Sequence, residues 1–545
     1  MLNGAQIMVR CLEREQVPVV FGYPGAAIAP FYDALYDSSV RHVLVRSEQN
    51  AAHMASGFAR CAGRPGVCVA TSGPGAANLI TGIATAYMDS VPLVVITGQV
   101  NLEQLGRDVF QEADITGACQ SFTKHSYLVT RAADLARIFR EAFHIAATGR
   151  PGPVLIDVPQ DVQEQPVETF LYPEKVDIPG YNPTVTGHPL QIKRAAQAIA
   201  ESRRPVVCCG GGVVLAGARE EMNAFARKTG IPVVATMMGI GALENTPDPR
   251  EGDAIYLGMI GRYGRPYANR AMTEADLILL CGARVGDRAI ALPNQIAAQA
   301  KIIHIDVDPA EIGKNMRVDI PIVGDIRQVL TALTERAQRA DCAPWRQQVL
   351  TYKREYVPRG EDREDYVEPR SFLRAFSAML EEDAIVVADP GQGQIWSAIH
   401  LTQRKGRFLT SGGLGTMGYA LPAALGAKLA KPRRQVVSIS GDGAFQMSLP
   451  ELATVVACHV PLKMIVLDNR RLGMVREMQN QFYGGRHIGT HMDGNPDFAA
   501  LCRAYGIPAE RAENNAQARE LGRKLLDAPG PMVLICRVDP ETPTL

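Results

Sequence analysis

Short runs of four to six apolar residues recur along the whole chain, and each is closed by a glycine or an aspartate. VPVVFG (17–22), GVCVAT (66–71), PLVVITG (92–98) and PVLIDV (153–158) lie in the first third, and PVVCCG (205–210), DLILLCG (276–282) and KIIHIDV (301–307) in the middle. AIVVAD (384–389), QVVSISGDG (435–443) and LKMIVLDN (462–469) lie in the last third. Continuous rather than alternating hydrophobicity predicts strands buried on both faces, as in parallel sheets. Helical periodicity between the runs predicts doubly wound α/β domains. The opening residues, MLNGAQIMVRCLEREQV, predict an amphipathic helix with Leu2, Ile7, Met8 and Leu12 near one face.

Two stretches interrupt the alternation. Residues 163–190 carry Pro166, Pro173, Pro179, Pro183 and Pro189 with little periodicity. Residues 340–370 hold the charged run KREYVPRGEDREDYVEPR. Both read as linkers, leaving three doubly wound parallel-sheet domains at 1–165, 190–335 and 370–545. A length of 545 residues suits three or four domains. Lys+Arg and Asp+Glu are both 57, which excludes a strongly basic nucleic-acid surface and any electrostatic pull towards anionic membrane. No run approaches a membrane span. The start lacks a basic segment followed by an apolar block, so a cytoplasmic protein is expected. The eleven cysteines are scattered without zinc spacing and read as buried reduced thiols.

Chemistry is concentrated in the last block. The strand VVSIS runs into Gly441-Asp442-Gly443, and Ser448 with Glu451 has capping-box spacing, which predicts a helix starting at Ser448. The next strand, LKMIVL, ends in Asp468-Asn469, and 25 residues separate Gly443 from Asn469. Glycines let the backbone approach a bulky anion, and a helix N-terminus favours one. Asp442 and Asn469 stand at strand C-termini, where open α/β sheets bind ligands. Their hard oxygens suit Mg²⁺ completed by phosphate and water. Together they predict a metal-bridged diphosphate site.

GDG followed some two dozen residues later by Asn resembles the binding motif of thiamine diphosphate-dependent enzymes. SEQNAAHMASGFAR (47–60), TSGPGAANLITGIATAYMDSVPLVVITGQV (71–100), DVFQEADI (108–115), TKHSYLV (123–129), GRPGPVLIDVP (149–159), SGGLGTMGYALPAA (411–424) and LDNRRLGMVRE (467–477) resemble the acetolactate synthase large-subunit family. The resemblance implies that Glu48 hydrogen-bonds the cofactor's aminopyrimidine N1′ and is the catalytic acid. It also implies that Asp442, Asn469 and the Arg471 carbonyl bind Mg²⁺, and that Met417 lies under the folded cofactor. Gln392, Gly393, Gly441 and Gly443 would contact the diphosphate, and Phe110, Gln111, Lys124 and Met478 would line the substrate funnel. The implied reaction decarboxylates pyruvate and transfers the hydroxyethyl unit to a second 2-keto acid. The alternative is another thiamine diphosphate-dependent 2-oxoacid decarboxylase or carboligase. In the middle block, Arg150, Gly211, Asp306 and Asp325 match positions that bind FAD in the family. A homodimer or homotetramer is implied, with a small regulatory subunit as a further partner.

Several positions depart from the family pattern. Met478 stands where the biosynthetic members have tryptophan. Ser47, Ala26, Pro390 and Gly393 replace a usual His, Gly, Val and His, and Arg262-Tyr263 and Val285-Gly286 depart on the flavin side. The sequence ends at Leu545, short of the family's longer tail. His53, His125 and His487 read as polar contacts or core residues, and Trp396 as packing.

Overall fold

The computed structural model describes residues 1–245, 249–250, 253–291 and 293–545. It contains three six-stranded sheets, all parallel. The first runs, edge to edge, Arg41–Leu44, Val19–Gly22, Gly66–Ala70, Leu93–Gln99, Pro153–Pro159, His125–Leu128. The third runs Arg407–Leu409, Ile385–Ala388, Val436–Gly441, Lys463–Asp468, Met532–Arg537, Ala509–Ala512. Numbering strands in chain order within each domain, both have the order 2-1-3-4-6-5, so the two domains are topological twins. The middle sheet runs Tyr256–Met259, Val233–Ala235, Pro205–Cys209, Leu277–Cys281, Lys301–Asp306, Ile320–Val323. That order is 3-2-1-4-5-6, the dinucleotide-binding arrangement.

Every apolar run named above forms a strand. The strands the pattern leaves unmarked include edges such as Arg41–Leu44 and His125–Leu128, which are partly exposed and so carry no continuous apolar signal. The opening helix spans Gly4–Arg14 and is capped reciprocally by Asn3 and Gln6. Leu2 instead pairs with Val167 in a two-residue strand. Within the charged stretch 340–370, Ala343–Arg354 is a helix. Its Trp345 is buried, and the indole N–H donates to the Pro205 carbonyl at 3.1 Å, so this segment packs on the middle sheet. Among the described residues no helix is long and apolar enough to cross a membrane. The cysteines are all free and, Cys458 apart, buried.

The twins meet through equivalent helices. Glu48–Ala62 follows strand 2 of the first domain and Ala420–Ala430 follows strand 2 of the third. A Cβ on Gly57 would collide with the Ala423 carbonyl, and one on Gly426 with the Met54 carbonyl. Glycine at these two points is what allows backbone-to-backbone contact. Around this contact lies a buried polar lock. Arg60 pairs with Asp89 at 3.3 Å and donates to the Thr410 carbonyl and the Tyr419 hydroxyl. Asp89 also accepts the Gly412 and Gly413 N–H groups. A buried ion pair holds only when its remaining valences are met in this way.

Replacing Gly57 with Val should therefore force the helices apart and cost about 3 kcal/mol or more, read as a large drop in melting temperature. Gly530→Ala, where a Cβ meets nothing within 4 Å, should leave the melt unchanged.

Candidate active site

In a 2-1-3-4-6-5 sheet the chain reverses direction of winding between strands 1 and 3, and ligands bind at the C-terminal ends there. In the third domain this places the loop after Ile385–Ala388 beside the loop after Val436–Gly441, with the end of Lys463–Asp468 on the far side of the latter. Gln392, Asp442 and Asn469 are brought together by topology alone. Asn469 Nδ2 donates to Gln392 Oε1 at 2.9 Å, and Asn469 Oδ1 accepts the Arg471 N–H at 3.0 Å. Arg470 holds the turn with φ of 54°, a left-handed conformation that non-glycine residues adopt mainly where the surroundings enforce it. The turn is clamped by Leu472 N–H to the Thr490 carbonyl and Met492 N–H to the Arg470 carbonyl.

The helix after the glycine turn begins at Asp442, not at Ser448. The expected capping box is absent, because helix Asp442–Ser448 and the 3-10 turn Leu449–Glu451 continue directly from the strand. Glu451 is used across the domain boundary. It is fully buried and accepts the Arg46 N–H at 2.9 Å, the Asn50 amide at 3.0 Å and the Thr454 hydroxyl at 2.6 Å. It thus holds the chain on both sides of Glu48. Glu48 itself opens its helix and is half-buried, with Oε2 accepting from Asn78 Nδ2 at 3.0 Å. Ala51, Ala52 and Met54 are fully buried in the helix interface. Neither Glu451 nor Asn78 was legible in the sequence, since each acts on residues distant along the chain.

The diphosphate-side residues fit a phosphate and a hard cation. A Cβ on Gly391, Gly415 or Gly441 meets nothing within 4 Å, leaving open backbone around the turn. Met417 stands over Gly443, its Cε 3.5 Å from where a Cβ would lie, and Gly393 sits against Leu467. Asp442 is 2% exposed, and burial pushes its carboxyl up to about 7. The Asn495 amide lies between it and Asp468, at 2.6 and 3.5 Å, and is itself held by Gln446 at 2.8 Å. The Asp442 carboxylate and the Asn469 amide oxygen, at neighbouring strand ends, are of the hard-oxygen kind that suits Mg²⁺. The hydrogen bonds of Glu48 and of this cluster do not meet within the single chain.

The funnel positions are spread more widely. Phe110 is 85% exposed, and Gln111 has φ of 58° and packs its backbone against Gly73. Met478 lies half exposed on helix Gly473–Phe482. Lys124 is engaged elsewhere. Its ammonium donates to the Ile145 and Thr148 carbonyls and the Tyr181 hydroxyl, and burial lowers it to about 8. It lines a cavity of about 490 Å³ with Arg150, Tyr87 and Asp308. Arg150 pairs with Asp308 at 3.2 Å and Glu311 at 2.9 Å.

In the middle domain the Gly210 and Gly212 N–H groups donate to the Cys281 and Gly282 carbonyls. A Cβ on either glycine would crowd the Gly282 loop, so both serve packing. Gly211 opens the helix at the point where the sheet order reverses. Asp306 accepts from the Asp308 N–H and is pushed up to about 6 by burial. Asp325 caps helix Ile326–Arg336. The expected core roles of histidines hold for His53, fully buried against Tyr419. His487 is exposed and bonds Asn480.

Replacing Asn495 with Ala should remove the donor between Asp442 and Asp468. With burial pushing the Asp442 carboxyl up to about 7, the loss should grow as pH rises through that value, because Asp442 then becomes charged without its donor. About 1–3 kcal/mol of extra destabilisation at pH 8 relative to pH 6 is expected from thermal melts.

Three family models match the chain. They are the thiamine pyrophosphate enzyme N-terminal TPP binding domain over residues 2–118, the central domain over 192–333 and the C-terminal TPP binding domain over 389–536. The chain is 45% identical to the probable acetolactate synthase large subunit of Methanocaldococcus jannaschii, with 99% of this chain and 92% of that protein aligned. It is 46% identical to the acetolactate synthase large subunit of Corynebacterium glutamicum, covering 97% and 86%. Against the acetolactate synthase isozyme 3 large subunit of Escherichia coli it is 42% identical, covering 93% and 89%. With twin sheets presenting an acid, a glycine turn and a strand-end asparagine, and with likeness running the length of all three domains, the chain belongs to the thiamine pyrophosphate enzymes, in the acetolactate synthase large-subunit family.

Proposed function

We propose that this protein is an acetolactate synthase, joining the two-carbon fragment left by pyruvate decarboxylation to a second 2-keto acid. The observation that carries the reading is the placing of Gln392, Asp442 and Asn469 after neighbouring strand ends at the winding reversal of the third sheet, within a chain 45% identical to a probable acetolactate synthase large subunit. Bound thiamine diphosphate supplies the carbanion-stabilising chemistry that decarboxylation of a 2-keto acid requires. Asp442, Asn469 and the Arg471 carbonyl would hold the Mg²⁺ that accompanies the diphosphate. Gly393, Gly441 and Gly443 let the backbone approach the phosphates, and Met417 supports the cofactor above the turn. Glu48, kept in place by Asn78 and by the clamp of Glu451, would hold a proton at the pyrimidine N1′.

The second half of the site comes from another copy of the chain. Helix Gly473–Phe482 and the turn after it leave Val475, Met478, Phe482, Tyr483 and Ile488 exposed, an apolar surface of the kind that a partner covers. Closure by such a partner excludes water, which would otherwise divert the reaction to aldehyde release. Phe110 and Gln111 approach the second substrate from the first domain. Met478 is apolar and flexible, so selection of the larger 2-oxobutyrate over pyruvate is weak, within the about 1–3 kcal/mol that one methylene offers. Lys124 supports the helix end at Thr148 and acts on substrate only indirectly.

FAD is proposed for the middle domain on its strand order and the Gly211 turn. Arg150 and Asp325 have their own partners within the chain and add little to that reading. The relatives are named as large subunits, which supports an assembly with a smaller partner.

Incubation with pyruvate, thiamine diphosphate and Mg²⁺ should yield acetolactate, and acetaldehyde as the dominant product would favour a decarboxylase instead. Glu48→Gln should abolish turnover while cofactor binding is largely retained. The visible spectrum of the purified protein reports flavin directly.

A further inference from the structure

Two side chains near residue 545 are buried beside Gln392 and Trp396. Thr542 and Thr544 are 8% and 2% exposed. The Trp396 indole N–H donates to the Pro543 carbonyl at 3.3 Å and the Thr544 carbonyl at 3.1 Å. The Thr544 N–H and hydroxyl each donate to the Glu477 carboxylate at 2.6 Å, and Arg476 pairs with Glu541. Glu477 also accepts from Gln392 Nε2 at 3.1 Å, and Gln392 Nε2 reaches the Thr542 carbonyl at 3.0 Å. Helix Gly473–Phe482 comes this close because residue 473 is glycine, since a Cβ there would collide with Gln392 Oε1.

These contacts fix a polarity. The Gln392 amide nitrogen faces only acceptors, a carboxylate and a carbonyl, so the amide cannot be turned over without facing oxygen against oxygen. Its Oε1 must then point at Asn469, which presents Nδ2 to it. That leaves Asn469 Oδ1 on the opposite side, where the Arg471 N–H confirms the same orientation. A buried amide turned the other way would strand two donors face to face, at a cost well above that of an ordinary lost hydrogen bond.

We propose that Glu477 and the segment Thr542–Thr544 are positioning elements that act through Gln392 to turn the Asn469 oxygen towards the cofactor's cation. The inference rests on the cofactor site of the preceding section and adds what sets its orientation. Glu477 touches neither substrate nor cofactor in this account. It couples the helix bearing Met478 to that segment and to the metal ligand.

The test uses the full-length protein with Mn²⁺ as the probe cation and thiamine diphosphate present. Mn²⁺ affinity is followed by electron paramagnetic resonance, and the segment Thr542–Thr544 by tryptophan emission. Glu477→Ala should weaken Mn²⁺ binding about tenfold, the scale of one lost hydrogen bond to a charged group, and should red-shift emission as Trp396 loses its carbonyl partners. Glu477→Gln should restore both to within about threefold. Its oxygen can accept from Gln392 and the Thr544 N–H, while its amide donates to the Thr544 hydroxyl. Thr544→Val, a smaller change, should move affinity and emission in the same direction by about twofold and serves if Glu477→Ala does not fold. Parental affinity in both Glu477→Ala and Thr544→Val overturns the relay, as does a Gln variant no better than Ala. A parent protein that binds no Mn²⁺ with the cofactor overturns the site itself, and the relay with it.

Discussion

Backbone contact between helices Glu48–Ala62 and Ala420–Ala430 is the constraint from which the rest of the molecule follows. Gly57 and Gly426 occupy the crossing, and no other side chain fits there without moving a carbonyl. Because these helices are equivalent elements of twin domains, the contact aligns two sheets of the same winding. It also sets where Glu48 leaves its helix. Asp389 extends the constraint to the site: it ends strand Ile385–Ala388, bonds the Ser440 hydroxyl and caps the start of Ala420–Ala430 through the Ala420 N–H.

A second consequence is electrostatic. Asp389, Asp442 and Asp468 follow or end three adjacent strands of one sheet, and all are 4% exposed or less. Burial pushes Asp389 to about 6 and Asp442 to about 7. Such a cluster is costly to ionise in a dry strand end. The Asn495 amide relieves part of that cost, lying 2.6 Å from Asp442 and 3.5 Å from Asp468. Amides from Asn495, Asn469 and Gln392 surround the acids with donors and acceptors whose directions are set by residues as distant as Thr542.

The relation of the chemistry to sequence differs residue by residue. Gly441-Asp442-Gly443 and Asn469 stand out in the sequence because a glycine turn and a strand-ending amide are local features, separated by the helical segments between Asp442 and Cys458 and one strand. Met417 was placed by resemblance, and the structure sets it over Gly443. Ser448 and Glu451 misled, because capping-box spacing says nothing of a helix already begun at Asp442. The resemblance implies a substrate role for Lys124, and its ammonium donates to the Ile145 and Thr148 carbonyls at a helix end.

What the sequence determined by itself was ten of the parallel strands, the doubly wound class and the glycine turn Gly441-Asp442-Gly443 that follows one of them. These depend on short-range sequence pattern. Only the tertiary structure decided the strand orders, the twinning of the outer domains, the Glu451 clamp beside Glu48 and the amide polarity running from Glu477 to Asn469. Strand order is set by which helices pack on which sheet face, and a hydrogen bond between residues hundreds of positions apart leaves no periodic trace in either partner.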